Sequence, residues 1–248
     1  MSHHRVASAL IVVEIAVAVM LTIAGALLSR SFLTIRGLTP GFNADHLVTA
    51  QVSPPRATYT DGARATRLYE AILERMSGLP GVTGGAATSQ MPLAAPVYGM
   101  GIRIRGQFED IHHQLPFVSH SQTVTPGYFG TLGIPMRAGR DFASADEATA
   151  PPVAIVSQSL ARRYWPNGGV LGQRIGYPFP GPWLTIIGIA ADVRVDSLRD
   201  TSAVAIYLPV SQALSGRFGP IPSGALSVAI RTRGDPAIIE RSIRSISR

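Results

Sequence analysis

From Val6 to Leu28 the chain reads VASALIVVEIAVAVMLTIAGALL, 23 residues with one ionisable side chain, Glu14. As a helix rising ~1.5 Å per residue this stretch is about 35 Å long, enough to cross a hydrocarbon layer of about 30 Å. Lipid offers no hydrogen-bond partners, so a spanning segment must satisfy its own amides, and a helix does. From about Arg36 to Arg248 the composition is that of a water-facing protein. The stretch therefore predicts a membrane helix within residues 1–36, spanning about 6–28, and a domain over 37–248.

A cleaved secretory signal is the competing reading. Arg5 gives a basic start and Ala24-Gly25-Ala26 a small-residue cleavage motif, but the run outlasts a signal core of about 7–15 residues. Length favours the uncleaved helix. His3, His4 and Arg5 before it balance Arg30 and Arg36 after it, so local charge does not orient it. Glu14 is costly in lipid unless it meets other helices or water. A carboxyl hydrogen-bonded to a neighbouring helix is the plainer reading, with a proton or substrate relay as the alternative, so partner helices are expected.

The chain has no cysteine, which excludes disulfides, thiolate nucleophiles and zinc-thiolate sites. Its net charge of +7 would suit nucleic acid, yet all 22 basic residues are arginine and they are scattered. A nucleic-acid surface clusters its charge, so no such partner is expected.

In chain order, Arg36–Phe42 is a breaker-rich exit from the membrane. His46–Ser53 alternates as a strand stopped by Pro54-Pro55, and Thr60 or Asp61 caps a helix ending near Gly78. Val82–Ser89 returns as a small-residue strand. Ile102–Arg105 and Phe117–Thr125 read as strands around a polar turn at Phe108–Gln114. Pro126–Phe129 opens a helical turn closed at Gly133. Pro151–Val156 is a strand, Ser157 caps the helix Gln158–Tyr164, and Arg174–Tyr177 pairs with Trp183–Val193 as a hairpin. Ala203–Pro209 and Ala225–Arg231 are strands. Pro236 starts a final helix with Ile238, Ile239, Ile243 and Ile246 on its apolar side, still uncapped at Arg248. Strands mixed with a few helices, without a strict βαβ rhythm, indicate an α+β class.

Chemistry-bearing patterns are sparse. A phosphate-cradling G-x-x-x-x-G-K loop needs the missing lysine, and the glycines at 81, 84 and 85 lack dinucleotide spacing. Ser119-His120-Ser121 sets hydroxyls beside an imidazole, but neighbours on a strand point to opposite faces and cannot act as nucleophile and base. Glu109-Asp110-Ile111-His112-His113 has metal-ligand types without converging spacing and reads as a solvated loop. Arg233-Gly234-Asp235 reads as the turn before the last helix, and Asp192, Asp196 and Asp200 as a solvated loop. No catalytic, cofactor-binding or metal-ligating residue is assigned, and the chain is not expected to be an enzyme.

Several stretches together resemble the MacB-like, FtsX-like family of ABC-transporter permeases. They are Ala9–Phe32, Leu38–Phe42, Val124–Phe142 (the strongest), Pro151–Pro166, Leu171–Ile175, Trp183–Arg194 and Ile206–Pro209. The resemblance implies an extracytoplasmic core domain of two α+β lobes at the bacterial inner membrane. The outer lobe would take about 46–89 and 225–248, and the inserted lobe about 92–224. It also implies a separate cytoplasmic ABC ATPase whose ATP-driven motion the permease helices relay, further permease helices from the same or a second copy, and no cofactor. A complete unit of that family has three more membrane helices after the core domain, so this sequence reads as a fragment. A single-span anchored sensor or ligand-binding module is the alternative function, and a secreted hydrolase a third.

Overall fold

The computed structural model describes residues 2–36, 40–54, 62–93, 99–112, 114–179, 181–194, 204–218 and 225–234. The expected cap at Thr60 or Asp61 and the expected final helix from Pro236 lie outside the described residues. Two units are described, residues 1–39 and 40–248.

The first unit is helix α1, Ser2–Arg36, 35 residues long. Nothing in the stretch breaks a helix before Gly37, so it extends past both ends of the expected span. Ile11, Leu21, Leu28 and Leu33 are each more than half exposed, so this apolar surface is buried in no core of the described chain. Ile11–Leu33 is long and apolar enough to cross a membrane.

The second unit is built on one mixed sheet. Strand β1 (Leu47–Val52) is followed by helix α2 (Gly62–Ser77) and strand β2 (Val82–Thr88). Ala65, Tyr69 and Met76 fall on one side of α2 and are buried against the sheet together with Leu226, Val228 and Ile230. The Tyr69 hydroxyl accepts from Leu226 N at 2.9 Å and donates to Val52 O at 3.0 Å, closing one end of the sheet.

Short strands β3 (Met100–Gly101), β4 (Arg103–Ile104) and β5 (Phe117–Val118) precede β6 (His120–Val124). The strand expected over 102–105 is thus shortened to Arg103–Ile104, and the one expected over 117–125 is divided at Ser119. Then come helix α3 (Tyr128–Leu132), strand β7 (Met136–Gly139), strand β8 (Val153–Ser157) and helix α4 (Gln158–Tyr164). Strands β9 (Arg174–Gly176) and β10 (Leu184–Ala190) form the expected antiparallel hairpin. Strand β11 (Ala205–Pro209), the short helix α5 (Val210–Ala213) and strand β12 (Leu226–Thr232) follow, the last elements among the described residues.

The sheet runs β1-β12-β2-β6-β11-β8-β10-β9-β4, with β7 pairing to the far half of β10; β3 and β5 make a separate two-stranded ribbon. Pairing β6–β11 and β8–β10 is parallel and the rest is antiparallel. The junction β2–β6 is thin, a single register pair, Thr88↔Val124. Side chains reinforce it: Thr125 Oγ1 accepts from Ala87 N at 2.8 Å, and Ser89 Oγ accepts from Thr123 N at 3.0 Å.

Among the described residues, three apolar clusters fill the unit. One lies between α2, α5 and the β1-β12-β2 strands. The second lies under α4 and includes Leu160, Trp165, Ile175 and Ile186. The third, on the opposite face, gathers Tyr128, Phe129, Leu132, Phe142 and Tyr207 around α3.

Candidate functional site

After α1 the described structure resumes at Pro40, and hydrogen bonds fasten Pro40–His46 into the second unit. Those contacts fall on three elements. Asn43 N donates to Leu132 O at 2.8 Å, tying the segment to the end of α3. Arg194 N donates to Pro40 O at 2.9 Å, tying it to the segment after β10. Thr232 N donates to His46 O at 3.0 Å, tying it to β12.

Arg231 is the hub of this root. Its Nε donates to Thr131 O at 2.6 Å, and its two Nη atoms donate to Asp45 O and Asn43 O, each at 2.7 Å. A guanidinium presents donors in a rigid planar fork, so one side chain holds α3, β12 and the lead-in segment in fixed relation. Asn43 adds a local turn by accepting from Asp45 N at 2.8 Å. Gly41 has φ +86, and a Cβ there would collide with the carbonyl oxygen of Asp192. Only glycine combines that backbone conformation with so close an approach.

Behind the root, α3 sits between two left-handed glycines, Gly127 at φ 79 and Gly133 at φ 66. Its rings pack edge-on: the Tyr128 and Phe129 centroids are 5.3 Å apart, and those of Phe129 and Tyr207 are 4.9 Å apart. The Tyr128 hydroxyl donates to Gln122 Oε1 at 3.3 Å. Burial pushes the Tyr128 and Tyr207 phenols well above their ordinary range, so they act as neutral hydroxyls.

Asp192 is not the solvated loop residue expected. It is half-buried, and its carboxylate accepts from Ser159 N at 2.7 Å and from Ser159 Oγ at 2.8 Å. Strand β10 ends just before it, which brings it to the start of α4, where free backbone amides favour a carboxylate. Asp196 and Asp200 lie outside the described residues. The root therefore connects, through Asp192–Arg194, with α4.

A second fixed point lies between β7 and β8. Asp146, 5% exposed, takes both Nη atoms of Arg140 at 2.7 and 2.8 Å and Ala143 N at 2.9 Å. The Arg140 guanidinium holds its carboxyl below the ordinary carboxylate range, while burial pushes Asp141 up. Ser211 and Gln212 of α5 bind the same loop, with Ser211 Oγ donating to Asp146 O at 2.6 Å and Gln212 Nε2 to Pro151 O at 3.1 Å.

The remaining candidates serve local structure. His120 is fully buried, whereas Ser119 and Ser121 are half-buried, which fits the alternation of a strand. Glu109 Oε1 accepts from Gly106 N at 2.6 Å and Asp110 Oδ1 from His112 N at 2.9 Å, each closing a turn. His113 and Asp235 lie outside the described residues. No three His, Asp or Glu side chains converge on one point among the described residues. An apolar cleft lined by Ile102, Ile175, Tyr177, Leu184, Ile206 and Leu208 measures about 10 Å³, room for at most one water. Neither Arg231 nor Arg140 was marked by the sequence; arginines inside otherwise apolar or extended stretches were the available signal.

The model of the MacB-like periplasmic core domain family matches residues 8–246. A search of curated proteins found no match. Among solved structures, the periplasmic region of MacB from Actinobacillus actinomycetemcomitans is similar at 14% identity and TM-score 0.55, over 86% of this chain and 87% of that one. A domain of a putative permease protein from Porphyromonas gingivalis is similar at 16% identity and TM-score 0.51, over 84% of each chain. At these identities the likeness concerns the fold.

Proposed function

Because the chain belongs to the MacB-like periplasmic core domain family, we propose that it is a permease subunit of an ABC export or mechanotransmission system whose core domain is moved by a partner ATPase. The core domain is extracytoplasmic, at the inner membrane, and α1 is its membrane helix. ATP-driven closure of a separate cytoplasmic ATPase displaces the permease helices, including those of a second copy, and the displacement enters the core domain at Pro40. The observation that carries this reading is the root itself. Pro40–His46 is bonded to α3, to β12 and to the segment after β10, so motion there is passed on rather than absorbed by a slack linker.

The two-lobe division is part of the proposal. The outer lobe comprises about 46–89 and 225–248, and the inserted lobe about 92–224. The single register pair joining β2 to β6 supports a boundary there.

The test is hydrogen exchange on the membrane-extracted complex, with ATP and with ADP. The expected result is co-purification of an ABC ATPase and nucleotide-dependent exchange at 40–46 and at the β2–β6 junction. A chain that brings down no ATPase and shows the same exchange in both nucleotides would sink the reading.

A further inference from the structure

The sheet ends at β4, and the outer face of that end carries an unusual row. Ile104 pairs with Ile175 and both are buried, so the residues on either side of each point the other way. Arg103 pairs with Gly176, and Arg105 N donates to Arg174 O at 3.0 Å, which sets Arg105 directly opposite Arg174. Arg174 in turn pairs with Thr185 of β10. The outer face thus shows Arg105, in the turn just after β4, beside Arg174 of β9 and Thr185 of β10.

Like charges directly opposite one another on a sheet are destabilising. Arg105 and Arg174 are exposed and make no ion pair with any carboxylate among the described residues. Arg103 adds a third positive charge to this edge. Its guanidinium lies 4.6 Å from the Trp183 ring centroid and donates to Tyr177 O at 2.7 Å, with Gly176 leaving the room beneath it. The nearest acids in sequence, Glu109 and Asp110, already close turns through Gly106 N and His112 N.

We propose that Arg105, Arg174 and Thr185 form an oxyanion site for a phosphate group, with the Arg103–Trp183 platform beside it for a planar or apolar part of the ligand. Two forked guanidiniums and a hydroxyl supply the donors that a phosphate's three free oxygens accept. An anion bound between the arginines turns their mutual repulsion into attraction to a shared partner. The phosphate comes either from a soluble ligand or from a lipid headgroup, and the test separates these. The inference is independent of the mechanical reading above.

The experiment is thermal unfolding of the full chain in lipid discs at low ionic strength. Phosphate-matched and chloride-matched buffers are compared in discs of phosphatidylcholine, with and without phosphatidate. In plain discs, millimolar phosphate should raise the wild-type midpoint by about 3 °C over chloride, which identifies a soluble source. A rise only with phosphatidate identifies a lipid source. Arg105→Gln and Arg174→Gln should each abolish the rise. Each should also match or exceed the wild-type midpoint in chloride, because a like-charge contact is removed. The proposal fails if neither phosphate source shifts the wild type, if the shift survives both substitutions, or if either variant unfolds well below wild type in chloride.

Discussion

Arg231→Lys isolates the root of the core domain without removing its charge. The wild-type guanidinium donates to three carbonyls at 2.6 to 2.7 Å, and a charge-assisted hydrogen bond contributes about 1.5–3 kcal/mol. The three do not simply add. The bonds to Asn43 O and Asp45 O are exposed, so those carbonyls regain water when abandoned, whereas the Thr131 bond is partly buried. A lysine ammonium reaches one of the three and leaves the others to solvent. The net cost is about 2 kcal/mol, and Arg231→Met, which also leaves the Thr131 carbonyl without a charged donor, costs about 3 kcal/mol. For a domain of this size each kcal/mol lowers the midpoint by about 2–4 °C, so the lysine variant should unfold about 6 °C earlier. Thermal unfolding of the full chain gives the total, and hydrogen exchange locates it, with faster exchange at Asn43 and Asp45 and little change in β8 and β10. A lysine variant that unfolds within about 1 °C of wild type, with unchanged exchange at 43–46, would falsify the idea that this fork fixes the root.

Further expectations concern the supports of the root. Gly41→Ala should destabilise by at least about 1 kcal/mol from the left-handed backbone alone, with the Asp192 carbonyl clash added; urea unfolding checks this, and a neutral result would mean the segment shifts freely. Ser157→Ala removes an acceptor shared by Leu160 N at 3.3 Å and Ala205 N at 3.0 Å, at a cost of about 2 kcal/mol measurable by the same titration. Asp146→Asn should cost about 2 kcal/mol at pH 7. The folded carboxyl of Asp146 lies below its ordinary value, so its contribution is full above that ordinary value and is lost as pH falls through the lowered one. The gap between wild type and variant should therefore close on acidification. Asp141 has the opposite sign, because burial raises it. Asp141→Asn should raise the midpoint at pH 7 while keeping an acceptor for Phe142 N, and a lowered midpoint would contradict the burial argument.

Local chemistry made much of this fold legible in the sequence. Ser157 reads as a helix cap and does cap α4, with Leu160 N donating to its hydroxyl. The α3 turn sits between Gly127 and Gly133 because left-handed positions are cheap for glycine. The β9–β10 hairpin follows from two apolar runs around Pro- and Gly-rich residues. Strand β7, Met136–Gly139, was missed because MRAG lacks alternation and β-branched residues; its place comes from pairing with β10. Helix α5 was missed because four residues carry no helical period. The root was not legible either, since Arg231 finds its partners 100 to 188 residues away along the chain. Propensity acts over a few residues, whereas those partners depend on the completed sheet order.

That distance also bears on how a displacement at Pro40 would spread. Within the three strands β1, β12 and β2, adjacent strands share six register pairs each, and β6 and β11 share five. Between β2 and β6 there is one. Across this junction the backbone makes two hydrogen bonds, Ser89 N to Thr123 O at 2.8 Å and Thr125 N to Ala87 O at 2.9 Å, so its pairing is shorter than that of β12–β2 or β6–β11 beside it. The root grips both sides: Arg231 belongs to β12, while Arg194 follows β10. A push delivered through Pro40 would load both sides together, and a difference in their response would fall on the short β2–β6 junction: Thr88↔Val124, the backbone bonds at Ser89 and Thr125, and the hydroxyls of those two residues. Removing one support should then weaken the junction more than its bond count suggests. Thr125→Val keeps the side-chain shape and deletes the acceptor of Ala87 N, leaving a buried N–H at a cost of about 1–3 kcal/mol. Exchange should quicken first at 87–89 and 123–125, ahead of β12 and β8. Uniform acceleration through the whole sheet would mean that it yields as one body and that the junction is not a hinge.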